Sequence, residues 1–155
     1  MGRGLNVPTH FKKTNKITTD MKKTTIANIV VEISKDGFYS CYCIEEFEHF
    51  ALFGYGDSVK DAKNDLISSY QEIKEMLDDE GKEVPELEFV WHYDMKSFFN
   101  YFDFLNVTKV AERAGINPSL MRRYASGISN ASEGQYEKLE KAVKEFTKEL
   151  AEAEF

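Results

Sequence analysis

The sequence predicts an α+β protein, with a small β-β-β-α-β domain over residues 25–95 followed by an all-α helix-turn-helix domain over residues 96–155. Short β-branched and aromatic runs dominate the first region, whereas helix caps and helical periodicity dominate the second. The charge changes at the same place, because residues 26–95 carry 17 acidic and 5 basic side chains and residues 96–130 carry 2 acidic and 5 basic ones. This asymmetry favours two modules with different partners, although ordinary variation of surface charge also accounts for it.

The composition excludes several other classes of protein. The chain has 155 residues, 42% of them hydrophobic, and a net charge of −7, which is typical of a globular protein and too apolar for a disordered one. No stretch approaches the roughly 18 uninterrupted apolar residues of a membrane-spanning helix, and no apolar segment follows the N-terminal lysines as in a secretory signal. Cys41 and Cys43 are too close together for a disulfide framework, so we expect a reducing, cytoplasmic location.

Residues 1–24 are predicted to form a basic flexible arm. The first 25 residues carry six basic side chains and one acidic one, are rich in Lys, Thr and Asn, and show no apolar period.

Three apolar runs predict the first three strands. Residues 29–33 are β-branched and lead into an Asp-Gly turn, from which residues 38–44 return as the second strand of a hairpin. Alternation places Cys41 and Cys43 on one face of that strand and Tyr42 on the other. After a charged loop, residues 50–53 predict a third strand.

A helix and a fourth strand complete the first domain. Ser58 and Asp61 have the spacing of a capping box at a helix start, and acidic residues with Gly81 mark its end. An apolar stripe at helical spacing follows the cap: Val59, Ala62, Leu66, Tyr70, Ile73 and Leu77. Residues 87–93, after Pro85, predict the fourth strand, so we expect the helix to cover one face of the sheet.

An aromatic stretch, residues 97–105, opens the second domain, and only Asn100 and Asp103 are polar inside it. A helix that is apolar on all sides is normally buried, so we expect this one to pack beneath the rest of the domain. An exposed aromatic surface for a partner is the alternative.

Residues 107–127 have the features that two crossed helices require. Ala111 provides a small side chain where the helices cross, and Gly115 suits a left-handed turn between them. Three apolar residues are spaced to face inward: Ile116, Met121 and Tyr124.

Local signals set the bounds of the second of these helices. Asn117 is a suitable N-cap, Pro118 a suitable first helical residue and Gly127 a suitable end. The helix is therefore predicted over about residues 118–126.

The outward side of this helix carries groups suited to DNA. Arg122 and Arg123 can donate to guanine edges or to phosphates in a major groove. Nine residues are candidate DNA contacts: Thr108, Lys109, Asn117, Ser119, Arg122, Arg123, Ser126, Ser129 and Asn130. An ordinary helical hairpin with solvated arginines is the competing interpretation.

Ser132 and Gln135 begin a predicted closing helix. Its apolar stripe is formed by Leu139, Val143, Phe146 and Leu150. The stripe faces either the core or a second copy of the chain, and the sequence leaves both open.

Both domains resemble known families. The segment from residue 107 into the closing helix resembles the Cro and lambda-repressor type of helix-turn-helix domain. The first domain resembles the HicB antitoxin family, whose N-terminal domain is a partial RNase H-like fold, in its element order and in the G-Y-G-D-S-V-K-D-A-K-N-D-L segment at residues 54–66. A HicB-like domain followed by a helix-turn-helix is an architecture of that family, and the combined resemblance covers about 130 residues.

The resemblance implies a DNA-binding transcriptional repressor that is also an antitoxin. Its partners would be a double-stranded DNA operator, a small basic RNA-cleaving toxin of the HicA type, and further copies of itself in a homodimer or higher homo-oligomer. The acidic charge of residues 26–95 suits a basic partner, although a solvated acidic face is the commoner reason for such charge. Candidate partner contacts are Asp36, Tyr42, Glu45, Glu46 and Glu48. The alternatives are a stand-alone regulator without a toxin and a protein-binding adaptor without DNA.

The residue pattern predicts no catalytic residue, no cofactor and no metal site. Candidate carboxylates for RNase H-type metal chemistry have no paired spacing: Glu32, Asp36, Glu45, Glu46 and Asp57. His10, His49 and His92 are too scattered for a ligand set, and the two cysteines lack the partners that a zinc site requires. A divergent nuclease remains the enzymatic alternative, recognisable by metal-dependent cleavage.

Overall fold

The computed structural model describes residues 23–34 and 36–155, which form two compact units that divide between Asp94 and Met95. We name them the sheet unit and the helical unit. The prediction of a mixed α/β chain is confirmed, because the described residues contain four strands and five helices. The predicted basic arm, residues 1–24, lies outside the described residues except at its last two positions. No helix in the described ranges is both long and apolar enough to cross a membrane.

The sheet unit consists of four strands and one long helix. In chain order these are β1 (Thr24–Ile33), β2 (Tyr39–Cys43), β3 (Phe53–Gly56), α1 (Val59–Asp79) and β4 (Glu86–Tyr93). The strand order across the sheet is β3-β2-β1-β4. The first two pairings, β1 with β2 and β2 with β3, are antiparallel, whereas β1 and β4 are parallel. A parallel pair needs a crossover, which α1 supplies.

Strand β1 is longer than the apolar run that predicts it. It begins at Thr24 because its first residues pair with β4, starting with Thr24 opposite Glu86. It lies between two neighbouring strands and is buried at five consecutive positions, residues 27–31. A central strand covered on both faces carries no apolar alternation, and the register of its parallel neighbour is not encoded locally.

Two glycines of β3 allow α1 to pack directly on the strand. A Cβ atom added to Gly54 would lie 2.3 Å from the Ala62 carbonyl oxygen, and one added to Gly56 would lie 2.6 Å from the Ala62 amide nitrogen. The prediction of a third strand at residues 50–53 is wrong, because the strand is Phe53–Gly56. The paired segment is the one without bulky side chains on the α1 side, and only Phe53 belongs to both ranges.

Strand β3 is also an edge of the sheet. Phe53 and Tyr55, on the side away from α1, are exposed. The Tyr55 backbone N–H donates a 2.8 Å hydrogen bond to Oδ2 of Asp65 on α1. One donor of this edge is therefore satisfied within the chain.

The start and the buried stripe of α1 follow the predicted signals. Ser58 is the N-cap, and its Oγ accepts a 3.1 Å hydrogen bond from the Asp61 N–H. The Ser58 hydroxyl also donates to the Asp61 carboxylate at 2.7 Å. The buried residues of α1 are Val59, Ala62, Leu66, Tyr70 and Leu77, and Ile73 is half-buried.

Gly54→Ala tests the close packing of α1 on β3. The added methyl group would overlap backbone atoms of α1, which cannot move as a flexible side chain does. We expect the free energy of unfolding to fall by about 1–3 kcal/mol or more, measured by urea denaturation followed by circular dichroism.

Gly134→Ala is the matched control. A Cβ atom at Gly134 meets nothing within 4 Å, and the residue lies inside a helix. Alanine there should leave stability unchanged or raise it by up to about 1 kcal/mol. Equal effects of the two substitutions would contradict the close approach at Gly54.

The helical unit contains α2 (Met95–Tyr101), α3 (Val107–Ala114), α4 (Pro118–Ser126) and α5 (Glu133–Ala151). Their apolar sides meet in one buried cluster. Its members are Met95, Phe99, Val110, Ala111, Ile116, Met121, Tyr124 and Leu139. Each helix contributes at least one of these side chains, so the cluster holds all the helices of the unit together.

The aromatic stretch forms a shorter helix than predicted. Helix α2 ends at Tyr101, and a turn then leads to Asn106, the N-cap of α3. Phe99 is buried, whereas Phe104 is 78% exposed. The expectation of a helix over residues 97–105 that is buried on all sides is therefore wrong. The Asn106 cap requires a non-helical backbone just after the stretch, which ends α2 early.

The stripe of α5 faces the core along most of its length. Leu139 is buried in the cluster, and Val143 and Phe146 are half-buried against it. Leu150 is 66% exposed. The core-facing interpretation therefore accounts for the first three positions, and Leu150 lies beyond the core.

Candidate nucleic-acid interface

Helices α3 and α4 are joined by a sharp left-handed turn. Gly115 follows α3 with φ +67° and ψ +32°, and its N–H donates to carbonyl oxygens of the last turn of α3. A residue with a Cβ atom adopts these angles only with strain, which explains the glycine. The chain can then reverse within three residues, from Gly115 to Asn117.

Helix α4 has the bounds that its caps predict. The Asn117 side chain accepts hydrogen bonds from the N–H groups of Ser119 and Leu120, at 2.9 and 3.2 Å. Pro118 occupies the first helical position, and Gly127 ends the helix with φ +78°. The predicted helix over residues 118–126 is confirmed.

The two helices are held together by the residues that the sequence assigns to their contact. Ala111 on α3 is fully buried, as expected for a small side chain at a crossing point. Ile116, Met121 and Tyr124 are also buried in the cluster of the helical unit. Because these residues fix the inner face of α4, its other face is turned to solvent.

Arg122 and Arg123 lie on this solvent-facing side, and both are exposed. The terminal nitrogens of Arg122 donate to the hydroxyl groups of Thr108, at 3.1 Å, and Ser119, at 3.0 Å. The Nε–H group of Arg123 donates to the Ser129 hydroxyl at 3.1 Å. Three further candidate DNA contacts therefore share a surface with the two arginines: Thr108, Ser119 and Ser129.

The remaining candidates surround the two arginines. Ser126 is exposed and donates to the Arg123 carbonyl at 3.1 Å, and Asn130 is exposed after the helix. The Asn117 side-chain oxygen is used for capping. Asn117 therefore orders the start of α4.

The other cations near this surface are paired differently. Lys109 forms an ion pair with Glu112 at 3.1 Å, and Arg113 forms one with Glu149 at 3.0 Å. Among the described residues, the hydrogen-bond partners of the Arg122 and Arg123 side chains are neutral hydroxyl groups. A hydroxyl partner orients a guanidinium group without neutralising it, so both arginines keep their full charge toward solvent.

Lys96 also lies at this surface, although the sequence pattern did not indicate it as a candidate contact. Its side chain crosses Gly127, where an added Cβ atom would lie 2.8 Å from Lys96 Cδ and 3.4 Å from Nζ. The ammonium group therefore lies at the C-terminal end of α4, where a cation is favourable. A lysine on α2, more than 20 positions before α4, gives no local signal of this proximity.

In the sheet unit, the candidate partner residues lie mainly in the segment of residues 44–52, which we name the acidic loop. Glu45 fastens this loop to β1, because its carboxylate accepts from the Asn28 backbone N–H at 2.7 Å and from the Asn28 side chain at 2.8 Å. Asn28 is buried and also lies 2.8 Å from Nε2 of His92. Glu45 thus has a structural role in addition to any partner contact.

The prediction that Tyr42 is a partner contact is corrected by its burial. Tyr42 is only 7% exposed. It lies on β2, an interior strand, and pairs with Val30 on one side and Phe53 on the other. With so little of its side chain accessible, Tyr42 belongs to the core and not to the surface.

Three acidic candidates remain exposed. Asp36, Glu46 and Glu48 all project into solvent. Inside the acidic loop the Phe47 and Phe50 rings stack with centroids 4.6 Å apart. Together with the Glu45 anchor, this stacking gives the loop a defined shape from which Glu46 and Glu48 extend.

The pKa of Glu45 lies below its usual value. Burial raises this pKa, but the hydrogen bonds from the Asn28 side chain and backbone lower it by more. The pKa of Glu32, in contrast, is raised by burial and by the nearby Asp94 carboxylate. The two carboxyl groups therefore affect stability in opposite directions as the pH changes.

Glu45→Gln should make the sheet unit less sensitive to acid. A carboxyl group with a lowered pKa stabilises the fold above its unfolded pKa, and this contribution is lost as the pH falls through the folded value. We expect the variant to lose about 1–3 kcal/mol at pH 7 and to show a smaller further loss between pH 6 and 3. Urea denaturation at a series of pH values measures both.

Glu32→Gln is the control of opposite sign. The pKa of Glu32 is raised, so its ionisation destabilises the fold as the pH rises. Its replacement should leave stability at pH 7 unchanged or higher, and should enlarge the loss on acidification. A Glu45→Gln variant as acid-sensitive as the wild type would contradict the role of Glu45.

The described residues contain no group of three or more His, Cys, Asp or Glu side chains that could hold a metal ion. Cys41 pairs with Gly54 across the sheet and therefore faces α1. Burial raises the pKa of its thiol to about 12, so the thiol is protonated at neutral pH. His10 lies outside the described residues.

Comparison with known proteins gives no match for this chain among protein families, curated proteins or solved structures.

Proposed function

We propose that this chain is a DNA-binding transcriptional repressor and the antitoxin of a HicA/HicB-type toxin-antitoxin system. In this proposal it neutralises a small RNase toxin by protein contact and represses its own operon. The observation that carries the DNA-binding half is the pair of exposed arginines on α4, held by neutral hydroxyl groups on a helix capped at both ends.

The proposal assigns a fold family to each unit. The sheet unit is a HicB-like, partial RNase H-like domain, which its β-β-β-α-β order and the strand-to-helix junction at residues 54–66 support. The helical unit is a Cro and lambda-repressor type helix-turn-helix domain. The left-handed Gly115, the capped α4 and the buried Ala111 support that assignment.

Repression follows from this assignment through occupation of the promoter. Helix α4 would enter the major groove with its arginines toward the DNA, while hydroxyl and amide groups at its exit contact phosphates. A homodimer would bind two half-sites one helical turn apart and exclude RNA polymerase. The exposed Leu150 near the end of α5 is an apolar position available to such a dimer.

The antitoxin half rests on the charge and shape of the acidic loop. Glu46 and Glu48 extend from a loop that Glu45 and a stacked aromatic pair hold in place. A basic toxin would be attracted by these carboxylates and by the excess of acidic side chains in residues 26–95. In the alternative of a stand-alone regulator, the chain binds DNA but has no toxin partner. In the alternative of an adaptor, it binds a protein but no DNA.

Arg122→Ala and Arg123→Ala should each weaken DNA binding by about 1–3 kcal/mol, since each removes a charged donor from the interface. A gel-shift titration measures this with a duplex that covers the DNA upstream of the gene encoding this chain. Affinity for the wild type should also fall steeply as salt rises, because phosphate contacts release counterions.

Arg113→Ala is the matched control for this experiment. It removes the same charge from the same unit, but Arg113 is paired with Glu149 on α5. Its affinity should stay close to that of the wild type. Unchanged affinity in both the Arg122 and the Arg123 variants would contradict DNA binding by α4 and favour the adaptor.

For the antitoxin half, we expect the neighbouring gene to encode a very short, basic, RNA-cleaving protein that binds this chain. The double variant Glu46→Lys, Glu48→Lys reverses both charges and should weaken that complex. More of the RNA-cleaving protein would then be unbound, so RNA cleavage in a mixture of the two proteins should increase. Calorimetry and an RNA-cleavage assay measure these effects.

Glu140→Lys with Glu145→Lys, on exposed positions of α5, is the control with an equal change of charge. It should leave the complex intact. A neighbouring gene of unrelated type, or a complex indifferent to the loop reversal, would contradict the antitoxin half and leave the stand-alone regulator.

A further inference from the structure

Arg122 and Arg123 are adjacent in sequence but are anchored at opposite ends of α4. Arg122 reaches toward the helix N-terminus, where it contacts Thr108 in the first turn of α3 and Ser119 in the first turn of α4. Arg123 reaches past the C-terminal Gly127 to Ser129. The two guanidinium groups are therefore presented at different places on the same surface.

The anchoring of Arg122 fixes its whole guanidinium plane. One nitrogen, Nη1, donates to Thr108 and the other, Nη2, donates to Ser119, so rotation about the end of the side chain is restrained at two points. Each of these nitrogens has a second N–H group, and Nε–H adds another donor. A fork of donors in a fixed plane matches the O6 and N7 acceptors of guanine.

The anchoring of Arg123 has a different consequence. Its Nε–H group is used by Ser129, which leaves both terminal nitrogens to extend beyond the end of α4. Lys96 crosses Gly127 at the same end, and exposed Asn130 follows. Cationic and amide donors at the exit of a helix are suited to the sugar-phosphate backbone, which carries no base identity.

We infer that Arg122 is the base-specific contact of the interface, that Thr108 and Ser119 are its positioning residues, and that Arg123 binds phosphate. This inference rests on the proposed DNA-binding function. It assigns base recognition and phosphate binding to two different, neighbouring side chains. Thr108 and Ser119 then act through Arg122 and not as phosphate ligands. Their hydroxyl groups reduce the conformational entropy that Arg122 loses on binding and leave its charge intact.

The experiment selects binding sites from a pool of duplexes with a random core of about 25 base pairs, long enough for two half-sites one helical turn apart. The wild-type chain should enrich a site with a guanine in each half. Arg122→Lys keeps the charge but removes the fork, so it should lose preference for that guanine by about 5- to 140-fold. Arg123→Lys, the matched variant, should keep the preference.

The positioning residues are tested by removing single hydroxyl groups. Thr108→Val and Ser119→Ala should each reduce the guanine preference by about 2- to 12-fold, the value of one hydrogen bond. Thr108→Ser restores the hydroxyl group and should restore the preference. Ser119 is exposed, so Ser119→Ala tests the same point with little risk to folding.

The slope of affinity against salt separates positioning from phosphate contact. Thr108→Val and Arg122→Lys should leave the slope of log affinity against log salt concentration unchanged. Arg123→Ala should reduce the size of this slope by about one, the value expected for the loss of one phosphate contact. A guanine preference that is lost with Arg123→Lys, or that survives removal of both hydroxyl groups, would overturn the inference. A wild-type chain that enriches no sequence would instead contradict the proposed function itself.

Discussion

The helical unit depends on the packing of α3 with α4, in which Ala111 is fully buried and the left-handed backbone of Gly115 turns the chain between the two helices. This packing brings Thr108, near the start of α3, within hydrogen-bond distance of Arg122 on α4. A larger side chain at residue 111 would separate the helices and break this contact. The geometry of the exposed surface that carries Thr108 and Arg122 thus depends on the small, buried side chain of Ala111.

The sheet unit obeys the same constraint with different elements. There, Gly54 and Gly56 remove side chains from β3 so that the backbone of α1 can approach the strand. In both units, small residues mark the places where two elements touch, and larger apolar residues fill the space around them. The Asn28 network adds a polar connection, because one buried amide joins β1, β4 and the acidic loop.

The sequence predicts features with local causes well and features with distant causes poorly. Asn117, Pro118 and Gly127 determine α4 through their own backbone preferences, and the predicted helix agrees with the structure at both ends. The parallel pairing of β1 with β4 and the position of Lys96 depend on residues far apart in the chain, for which one sequence contains no signal. The candidate DNA residues could be chosen by type and by helix face. Which of them hold others in place required the distances between their atoms.

The hydrogen bond between the Tyr55 N–H and Asp65 bears on how the protein behaves at high concentration. An outer strand that displays Phe53 and Tyr55 is a template on which another extended chain could pair and begin a fibril. To pair at this position, an incoming strand would have to displace the Asp65 carboxylate from the Tyr55 N–H group. The Asp65 carboxylate therefore occupies one backbone donor of this edge and places a negative charge beside the exposed aromatic side chains, both of which oppose pairing with another strand.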